Sequence, residues 1–453
     1  MAKKICIFLL VVLCMLPVSS ITVKAGDNVI ANDETGIPDK KLYGEILKTL
    51  RTKSEDKFTK KEAERVESLL LWIDEDVSFQ GIGCFKNLKE LHCVGIDTGN
   101  LREISEELPQ LKRLIINGFD MDVSRKKIES LKPLENMKQL VYLDVANNSL
   151  TNLDGIGGMK SLKTLRAENN QIINIKDMKS LKTLKQLYLS NNRLKDLKGI
   201  EKLKKLEELD LSENCLPNIK GIKKLKNLKI LSLRYNNLKS VAGIKELKNL
   251  KVLNLGQNCL KKADEAAQLI KLQNLSLYGN KLEKLPDLKK LKELKYLNAE
   301  DNDLKTLPDM KGLKGADIYL KWNYLTKKEI KKKMPKSSRR YNYLWKNQKA
   351  NIKLTYLSPE TKEEITKDTT EIVGRVSPTI IQECTPQIYL CTSDGELIGW
   401  DGSMYTMPEA DRNGIFRLDG LDLKKYAGKE ICLVLAVDFD IERFAIDRFT
   451  VQE

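Results

Sequence analysis

Histidine, the side chain best suited to acid–base chemistry near neutral pH, occurs once in this sequence. His92 is the only histidine, so a site that needs two or more imidazoles, such as a histidine-rich zinc site, is excluded. Glu90 is the only acid close to it in sequence, which favours a surface histidine over a catalytic one. The motifs of serine hydrolases, zinc proteases, P-loop NTPases and dinucleotide-binding proteins are missing. The sequence therefore predicts no catalytic residue, no cofactor and no metal ion.

Composition limits the class of protein further. The 453 residues are 41% hydrophobic and 31% charged, with a formal net charge of +16. This is too apolar for a wholly disordered chain and too charged for a protein with many membrane spans. Most lysines fall between leucines, at positions typical of a solvated surface, so we expect no nucleic-acid partner.

The first 25 residues predict a secretory signal peptide. Lys3 and Lys4 precede an apolar run of about 12 residues, which is too short for a stable membrane anchor, and Ala25 offers a small-residue cleavage site. We therefore expect a secreted or cell-surface-associated protein with no transmembrane segment after signal cleavage.

A period of 22 residues dominates the middle of the chain. One asparagine recurs in each unit, at Asn148, Asn170, Asn192, Asn214, Asn236, Asn258, Asn280 and Asn302, with Asn323 following at 21. Leucines surround it in the frame Leu184-x-x-Leu187-x-Leu189-x-x-Asn192-x-Leu194. Alternating leucines predict a short strand whose apolar face no single unit can bury, so successive units must stack. Twelve units are predicted over 66–325, the third lengthened by seven residues within 120–133.

This frame resembles the leucine-rich repeat family, specifically the 22-residue type of bacterial internalin-like proteins, over roughly 66–325. The resemblance implies an α/β solenoid of parallel strands with a mostly irregular convex side and a helical N-terminal cap. We assign linker and cap to 26–65, with a helix at about 39–64 that begins at Asp39 and breaks near Ser54. Gly155 and Gly199 are expected at tight convex turns.

After residue 350 the leucine period gives way to β-branched alternation. Seven candidate strands and the turn pairs Asp394-Gly395 and Asn413-Gly414 predict an all-β domain at 351–453. The strand number fits an immunoglobulin-like sandwich, and the turns resemble the bacterial Ig-like domains of surface proteins. The domain holds 11 basic and 19 acidic residues, a net charge of −8, opposite to that of the repeats.

The cysteines do not define a metal site. Seven follow residue 25: Cys84, Cys93, Cys215, Cys259, Cys384, Cys391 and Cys432. Because seven is odd, at least one thiol stays unpaired within the chain. Cys384 and Cys391 are near enough in sequence to close a local loop. Cys93 stands where later repeats have leucine, which predicts a core position.

Residues that alternate with the strand leucines are expected on the concave face, where side chains of consecutive repeats lie side by side. Tyr, Trp and Arg are the residue types enriched in interface hot spots. The candidate ligand face consists of Trp72, Tyr142, Asp144, Arg166, Glu168, Tyr188, Asp210, Arg234, Tyr235, Tyr278, Tyr296, Glu300, Tyr319 and Trp322. The alternative is a plain sheet surface, because aromatic residues suit strands in any case.

Residues 326–350 are the most basic segment, with ten basic residues and one acid, Glu329. A short helix from Thr326, ended by Pro335, is predicted as a C-terminal cap followed by a linker. The charge suits an anionic cell-wall polymer. The candidate contacts are Lys331, Lys332, Lys333, Arg339 and Arg340. A cap and linker without a ligand is the alternative.

The resemblance to internalin-like proteins implies binding or adhesion rather than catalysis. We expect a secreted or wall-associated protein that recognises a protein or a surface glycopolymer through the concave face of its repeats. The Ig-like domain would act as a spacer or a second adhesive module. Two alternatives remain: a structural cell-envelope spacer without a specific ligand, and a secreted enzyme.

Overall fold

The structure is a computed structural model, and it describes residues 29–50, 57–73, 76–117, 127–335, 348, 354–376, 387–392, 397–398, 410–411, 413, 415–437 and 442–453. The predicted signal peptide and Cys384 lie outside these residues. The chain divides into two compact units, Met1–Leu206 and Glu207–Glu453, which are described one at a time.

The first unit begins with a cap. Strand β1 (Val29–Ile30) pairs antiparallel with β2 (Phe58–Thr59), helix α1 spans Lys40–Leu50 and helix α2 spans Lys60–Ala63. The Asp39 carboxylate accepts hydrogen bonds from the backbone N–H groups of residues 41 and 42, each at 2.9 Å, so the predicted N-cap is confirmed.

The predicted cap helix was wrong at Phe58 and Thr59, although Lys60–Ala63 is helical. Phe58 lies in a strand, and its buried ring packs 5.4 Å from the ring of Tyr43 and 5.7 Å from that of Phe85. Pairing with β1, 28 residues earlier in the sequence, outweighs the helical pattern. Residues 51–56, which hold the predicted break at Ser54, lie outside the described residues.

Six parallel strands follow in the first unit: β3 (Ser68–Trp72), β4 (Glu90–Val94), β5 (Arg113–Ile115), β6 (Tyr142–Asp144), β7 (Thr164–Arg166) and β8 (Gln186–Tyr188). Helix α3 spans Thr98–Glu107, and 3₁₀ turns lie at Ile82–Cys84, Lys132–Leu134, Ile156–Gly158, Lys176–Ser180 and Ile200–Lys202. The register aligns the central leucines of neighbouring strands, such as Leu143 with Leu165, so one leucine column forms the core.

The second unit continues the same pattern. Its parallel strands are β9 (Glu208–Asp210), β10 (Ile230–Ser232), β11 (Val252–Asn254), β12 (Asn274–Ser276), β13 (Tyr296–Asn298) and β14 (Asp317–Tyr319). Its 3₁₀ turns are Ile222–Lys224, Ile244–Glu246, Asp264–Gln268 and Leu288–Lys290, and helix α4 spans Lys327–Lys333 after the N-cap Thr326. The twelve repeat strands, six in each unit, confirm the predicted stack of parallel repeats.

The recurring asparagines join one coil to the next. Nδ2 of Asn170 donates to the carbonyls of Val145 and Ala167 at 3.0 and 3.2 Å, and its Oδ1 accepts from the N–H of Leu150 at 3.0 Å. These backbone groups are buried and have no strand partner, so the amide satisfies them. The same contacts recur through both units, and we call this series the asparagine ladder.

The ladder locates the long repeat. Nδ2 of Asn148 reaches back 32 residues to the carbonyl of Ile116, whereas the equivalent bond of Asn170 spans 25. Its Oδ1 still accepts from a residue 20 positions earlier, Ile128. The seven extra residues therefore lie between Ile116 and Ile128, earlier than much of the predicted 120–133 interval. Residues 118–126 are outside the described part of the chain.

Gln348 ends the ladder. Its Nε2 donates to the carbonyl of Leu320 at 2.8 Å, and its Oε1 accepts from the N–H of Leu325 at 3.2 Å. These are the two kinds of bond that a further asparagine would make to the last coil. The side chain is fully buried, so an amide from beyond helix α4 covers the end of the repeats.

The described residues of the C-terminal region form two antiparallel sheets. One has the order β15 (Leu354–Ser358), β16 (Glu371–Val376), β19 (Ile415–Asp419); the other has the order β18 (Leu397–Ile398), β17 (Gln387–Thr392), β20 (Glu430–Val437), β21 (Glu442–Thr450). Short 3₁₀ turns lie at Lys362–Glu364 and Lys424–Tyr426. Ile372, Phe416 and Leu433 are among the residues of their shared core. The all-β class is confirmed, and the immunoglobulin-like assignment stays a prediction.

Candidate functional site

The exposed face of the repeat strands is built by residues on either side of each central leucine. In β7, Thr164 and Arg166 flank the buried Leu165, and Glu168 follows two residues after the strand. Because the strands are in register, equivalent residues of adjacent repeats lie roughly 4.8 Å apart. We call residues at these three positions strand-face residues.

Arg113 anchors one end of a group of such residues in the first unit. Its guanidinium carbon lies 3.8 Å from the centre of the Tyr142 ring, a cation–π contact, and its Nε lies 3.2 Å from a carboxylate oxygen of Glu90. Strands β4, β5 and β6 each supply one of these three side chains. The register alone brings them together.

Arg166 occupies the centre of the same group. Its Nε lies 3.7 Å from Oδ2 of Asp144, and one of its terminal nitrogens donates to Oε1 of Glu168 at 2.7 Å. Its guanidinium carbon lies 5.4 Å from the centre of the Tyr188 ring. We call the whole set the charged cluster: Glu90, Arg113, Tyr142, Asp144, Arg166, Glu168 and Tyr188.

Burial shifts the titration of this cluster. It raises the pKa of the Asp144 and Glu168 carboxyls above their ordinary values, although Arg166 acts in the opposite direction. Burial alone would lower the pKa of Arg166, yet Glu168 and Asp144 raise it overall. Burial, then the Asp144 charge, raises the pKa of the Tyr142 hydroxyl. The attraction of Arg166 therefore offsets only part of the cost of burying these two carboxylates in their ionised form.

One carboxylate oxygen of the cluster also lacks a hydrogen bond within the described part of the chain. Oε2 of Glu168 is covered and has no hydrogen-bond partner among the described residues. A carboxylate has about four acceptor positions, so this side chain retains capacity for a donor if the surface rearranges. The cluster can thus recognise polar groups and offer aromatic surface.

His92 borders the cluster. Its Nε2 lies 3.2 Å from Oδ1 of Asn117. His92 thus contacts an amide rather than an acid, which favours the surface role expected from the sequence.

The strand face of the second unit has a different network. Oδ1 of Asp210 accepts from both the N–H and the Oγ–H of Ser212, at 2.9 and 2.6 Å, and the hydroxyls of Ser212 and Ser232 are 2.6 Å apart. Arg234 donates to the Tyr235 hydroxyl at 3.1 Å, with its guanidinium carbon 4.4 Å from the centre of that ring. Further along, the rings of Tyr296 and Tyr319 lie 5.4 Å apart.

Several carboxylates and amides on this face also accept a hydrogen bond from the backbone just after the strand. A side-chain oxygen just after the central leucine accepts the N–H two residues later in Asp144–Ala146, Asp210–Ser212, Asn254–Gly256 and Asn298–Glu300, at 2.9–3.1 Å. Asp144 and Asp210 were predicted only as ligand contacts. They therefore have a local structural role as well.

Four members of the predicted ligand face are buried. Asp144 is 8% exposed, Tyr278 and Glu300 are each 7% exposed, and Trp322 is 3% exposed. Trp322 follows the strand in a left-handed conformation (φ 57°) and packs in the core shared by the C-terminal sheets, which the repeat pattern could not indicate. Tyr235 has the same conformation (φ 51°), so it lies at the turn rather than on the strand. Trp72, by contrast, is 47% exposed at the end of β3.

The predicted anionic-polymer contacts are only partly described. Lys331 and Lys332 are exposed and Lys333 is partly exposed, all in the last turn of α4. Arg339 and Arg340 lie outside the described residues. Cys93 is fully buried in β4, which confirms its predicted core role.

Sequence reasoning missed Arg113, Glu90 and Asn117 as members of this surface. Arg113 stands immediately before a strand leucine, so extending the 22-residue frame through the irregular third repeat would have found it. Asn254 and Asn274 were missed for another reason, because neutral amides are not among the residue types enriched in interface hot spots.

The leucine frame, parallel strands, 3₁₀ turns and asparagine ladder define a leucine-rich repeat solenoid. A family model described as "Leucine Rich repeats (2 copies)" matches residues 182–224 and 226–267. No curated protein matches the sequence significantly.

Solved structures extend the likeness to bacterial proteins of this class. An internalin (inlF) from Listeria monocytogenes is 22% identical with a TM-score of 0.57, covering 65% of this chain and 85% of its own. A leucine-rich repeat protein from Leptospira interrogans is 28% identical with a TM-score of 0.55, covering 64% of this chain and 78% of its own. The predicted resemblance to internalin-like bacterial leucine-rich repeat proteins is confirmed.

The described residues contain no group of three His, Cys, Asp or Glu side chains that could hold a metal ion. None of their helices has the length and apolar character needed to cross a membrane.

Proposed function

We propose that this chain is a secreted or cell-surface binding protein of the adhesion type, which recognises a protein partner through the charged cluster of its first unit. The internalin-like repeats support a binding role in general. The signal-peptide pattern of residues 1–25 supports export. N-terminal sequencing of secreted material should give a start near Gly26.

The observation that carries the proposal is the packing of Tyr142 and Tyr188 against guanidinium groups on adjacent strands. Tyrosine and arginine dominate interface hot spots, since they supply large contact areas together with directional donors. Here the ion pairs already hold both arginines, so less conformational freedom is lost when a partner binds. A structural spacer would not require this arrangement.

The test uses the whole chain and a partner captured from surface proteins and then purified. Tyr188→Ala should weaken the affinity for that partner roughly 30-fold, which corresponds to about 2 kcal/mol. The matched control is Tyr235→Ala, an exposed tyrosine that also contacts an arginine but lies in the second unit. Both variants should melt close to the parent protein.

Equal affinity of the parent and Tyr188→Ala would contradict the proposal. If the Tyr235→Ala control alone lost binding, the recognition surface would belong to the second unit. A partner that binds the C-terminal sheets alone would instead make the repeats a spacer.

A further inference from the structure

In the second unit, the two positions that flank the central leucine are uncharged on four consecutive strands. Over β10, β11, β12 and β13, the residues just before and just after the central leucine are Ile230, Ser232, Val252, Asn254, Asn274, Ser276, Tyr296 and Asn298. None of these eight carries a charge at neutral pH, although 31% of the whole chain is charged. We call these residues, together with Tyr319 of β14, the neutral panel. A charged ligand buried there would lack a counter-charge from the panel, which is unfavourable.

The panel has hydrogen-bonding capacity that the protein does not use. Oδ1 of Asn254 accepts from the N–H of Gly256 at 3.0 Å, so its NH₂ group remains as a donor. Within the described residues, Nδ2 of Asn254, the Asn274 side chain and Oγ of Ser276 have no protein partner. Asn274 is exposed, and the other two are partly exposed. Together they offer both donors and acceptors.

Gly256 leaves these groups uncovered. A Cβ atom at this position would lie 3.2 Å from Oδ1 of Asn254 and 3.5 Å from Oγ of Ser276. The backbone here is not left-handed, so the turn itself does not demand glycine. Any larger side chain would lie beside the two polar groups and restrict access to them.

Aromatic surface lies at the end of the panel. The rings of Tyr296 and Tyr319 are 5.4 Å apart and inclined at 43°, and neither side chain is fully buried. The Tyr296 hydroxyl lies 3.5 Å from Nδ2 of Asn298, which links the rings to the row of polar groups. Flat apolar rings beside neutral donors and acceptors suit a sugar, whose ring has an apolar C–H face and a rim of hydroxyls.

We propose that the neutral panel binds an uncharged oligosaccharide. A sugar ring packs against Tyr296 and Tyr319, and hydroxyls of the neighbouring rings bond to Asn254, Asn274 and Ser276. Four strands at about 4.8 Å spacing span roughly 15 Å, enough for several sugar rings. This site goes beyond the protein recognition proposed for the first unit and does not depend on it.

The first measurement is calorimetric titration of the whole chain with two neutral probes, cellotetraose and chitotetraose. At least one should bind with an affinity that changes less than about twofold when salt rises, because screening acts only on charges. Tetragalacturonate, a charged tetrasaccharide, should bind at least about tenfold more weakly. Absence of binding by both neutral probes, or preference for the charged one, would overturn the proposal.

The second measurement locates the site. Asn254→Asp keeps the acceptor for Gly256 but replaces the NH₂ donor, and should weaken binding at least about tenfold. The matched control is Asn218→Asp, because Oδ1 of Asn218 accepts from the N–H of Lys220 in the same local geometry away from the panel. Tyr319→Ala should also weaken binding, and Tyr188→Ala should not.

Melting curves of all four variants separate lost binding from lost folding. Retained binding in a folded Asn254→Asp protein would overturn the assignment to the panel, as would equal losses in Asn254→Asp and Asn218→Asp. Loss of protein binding in Tyr188→Ala with retained sugar binding would keep the two sites distinct. If only the sugar fails to bind, the function proposed for the first unit is unaffected.

Discussion

Glu168 illustrates the cost of a charge placed at a half-buried recognition surface. Its pKa is raised above the ordinary 4.5 by burial, against the opposing effect of Arg166. Between the ordinary and the raised pKa, the folded chain holds a proton that the unfolded chain releases. The stabilising contribution is therefore complete below the ordinary pKa and lost as pH rises through the raised one.

The Glu168→Gln variant tests this sign. An amide resembles the protonated acid, so the melting temperature of the variant at pH 7 should equal or exceed that of the parent protein. The difference in melting temperature should shrink at pH 4, where the Glu168 carboxyl of the parent protein is protonated. Glu67→Gln, which affects an exposed ion pair with Lys89, should show no such change between the two pH values. A marked loss of stability in Glu168→Gln at pH 7 would show that the Arg166 ion pair outweighs burial.

Asn170 should contribute far more to the free energy of unfolding than its neighbour Asn169. Asn170→Ala leaves the buried N–H of Leu150 without its side-chain partner, and the carbonyl of Val145 keeps only the amide of Asn148. At roughly 1–3 kcal/mol for a buried group left without a partner, the free energy of unfolding should fall by about 2 kcal/mol or more. Asn169→Gly keeps the left-handed backbone (φ 54°) and should cost about 1 kcal/mol or less. Urea unfolding measures both, and similar losses would refute the ladder as a stabilising device.

At the scale of the element, two convex turns allow the effect of a left-handed backbone to be distinguished from the effect of steric crowding. Gly155 and Gly199 have nearly equal φ values, 92° and 98°. An added Cβ at Gly155 would lie 2.6 Å from the carbonyl oxygen of Leu131, whereas at Gly199 the nearest atom is 3.6 Å away. Equivalent turns thus differ in the space around them.

Alanine substitution should therefore cost different amounts at the two glycines. Gly199→Ala should lose about 1–2 kcal/mol from the left-handed conformation alone. Gly155→Ala should lose more, since the backbone of the preceding coil must also move. Chemical unfolding of the two variants provides the comparison, and equal losses would mean that the coils adjust freely.

Elements that depend on local periodicity were predictable, and those that depend on distant contacts were not. The 22-residue period specified the repeat strands, the turn glycines and the buried asparagines. It could not specify β2, because Phe58 and Thr59 pair with residues far away in the sequence. Of the seven residues of the charged cluster, five were predicted: Tyr142, Asp144, Arg166, Glu168 and Tyr188. Glu90 and Arg113 were missed, and Arg113 was hidden by the irregular third repeat. The neutral panel was missed because Asn and Ser have no distinctive pattern of their own.

At the scale of the whole molecule, Trp322 connects the last repeat to the core of the C-terminal sheets. Trp322→Ala should lower the free energy of unfolding by about 3–5 kcal/mol, because a large buried side chain is removed. Trp72→Ala is the matched control, since Trp72 is largely exposed and its loss should cost no more than about 0.5 kcal/mol. Denaturant titration followed by circular dichroism measures both. Comparable small losses would show that the C-terminal sheets do not rely on this contact.

The basic end of helix α4 leads to a prediction about retention on cell walls. We propose that Lys331, Lys332 and Lys333 help to hold the chain on an anionic wall polymer. Replacing all three with Gln should reduce binding to isolated walls, and the parent protein should be released as salt rises, because exposed charges are screened beyond about 10 Å at 0.1 M. Replacing Lys220, Lys223 and Lys224, another basic group, is the control for net charge. Salt-independent retention would leave α4 as a cap only.

The asparagine ladder restricts where residues can be inserted into the repeats or deleted from them. Each asparagine fixes two earlier points of the chain, the carbonyl 25 residues before it and the amide 20 residues before it. Asn148 keeps both bonds, at 2.7 and 2.9 Å, although seven residues have been added between those points. Asn323 keeps its bonds with spans of 24 and 19, so one residue has been removed after the second point. Duplications of whole 22-residue units preserve every bond. Among relatives, insertions should therefore collect in the five-residue interval between the two fixed points, which is also where a foreign peptide could be displayed without unfolding the repeats.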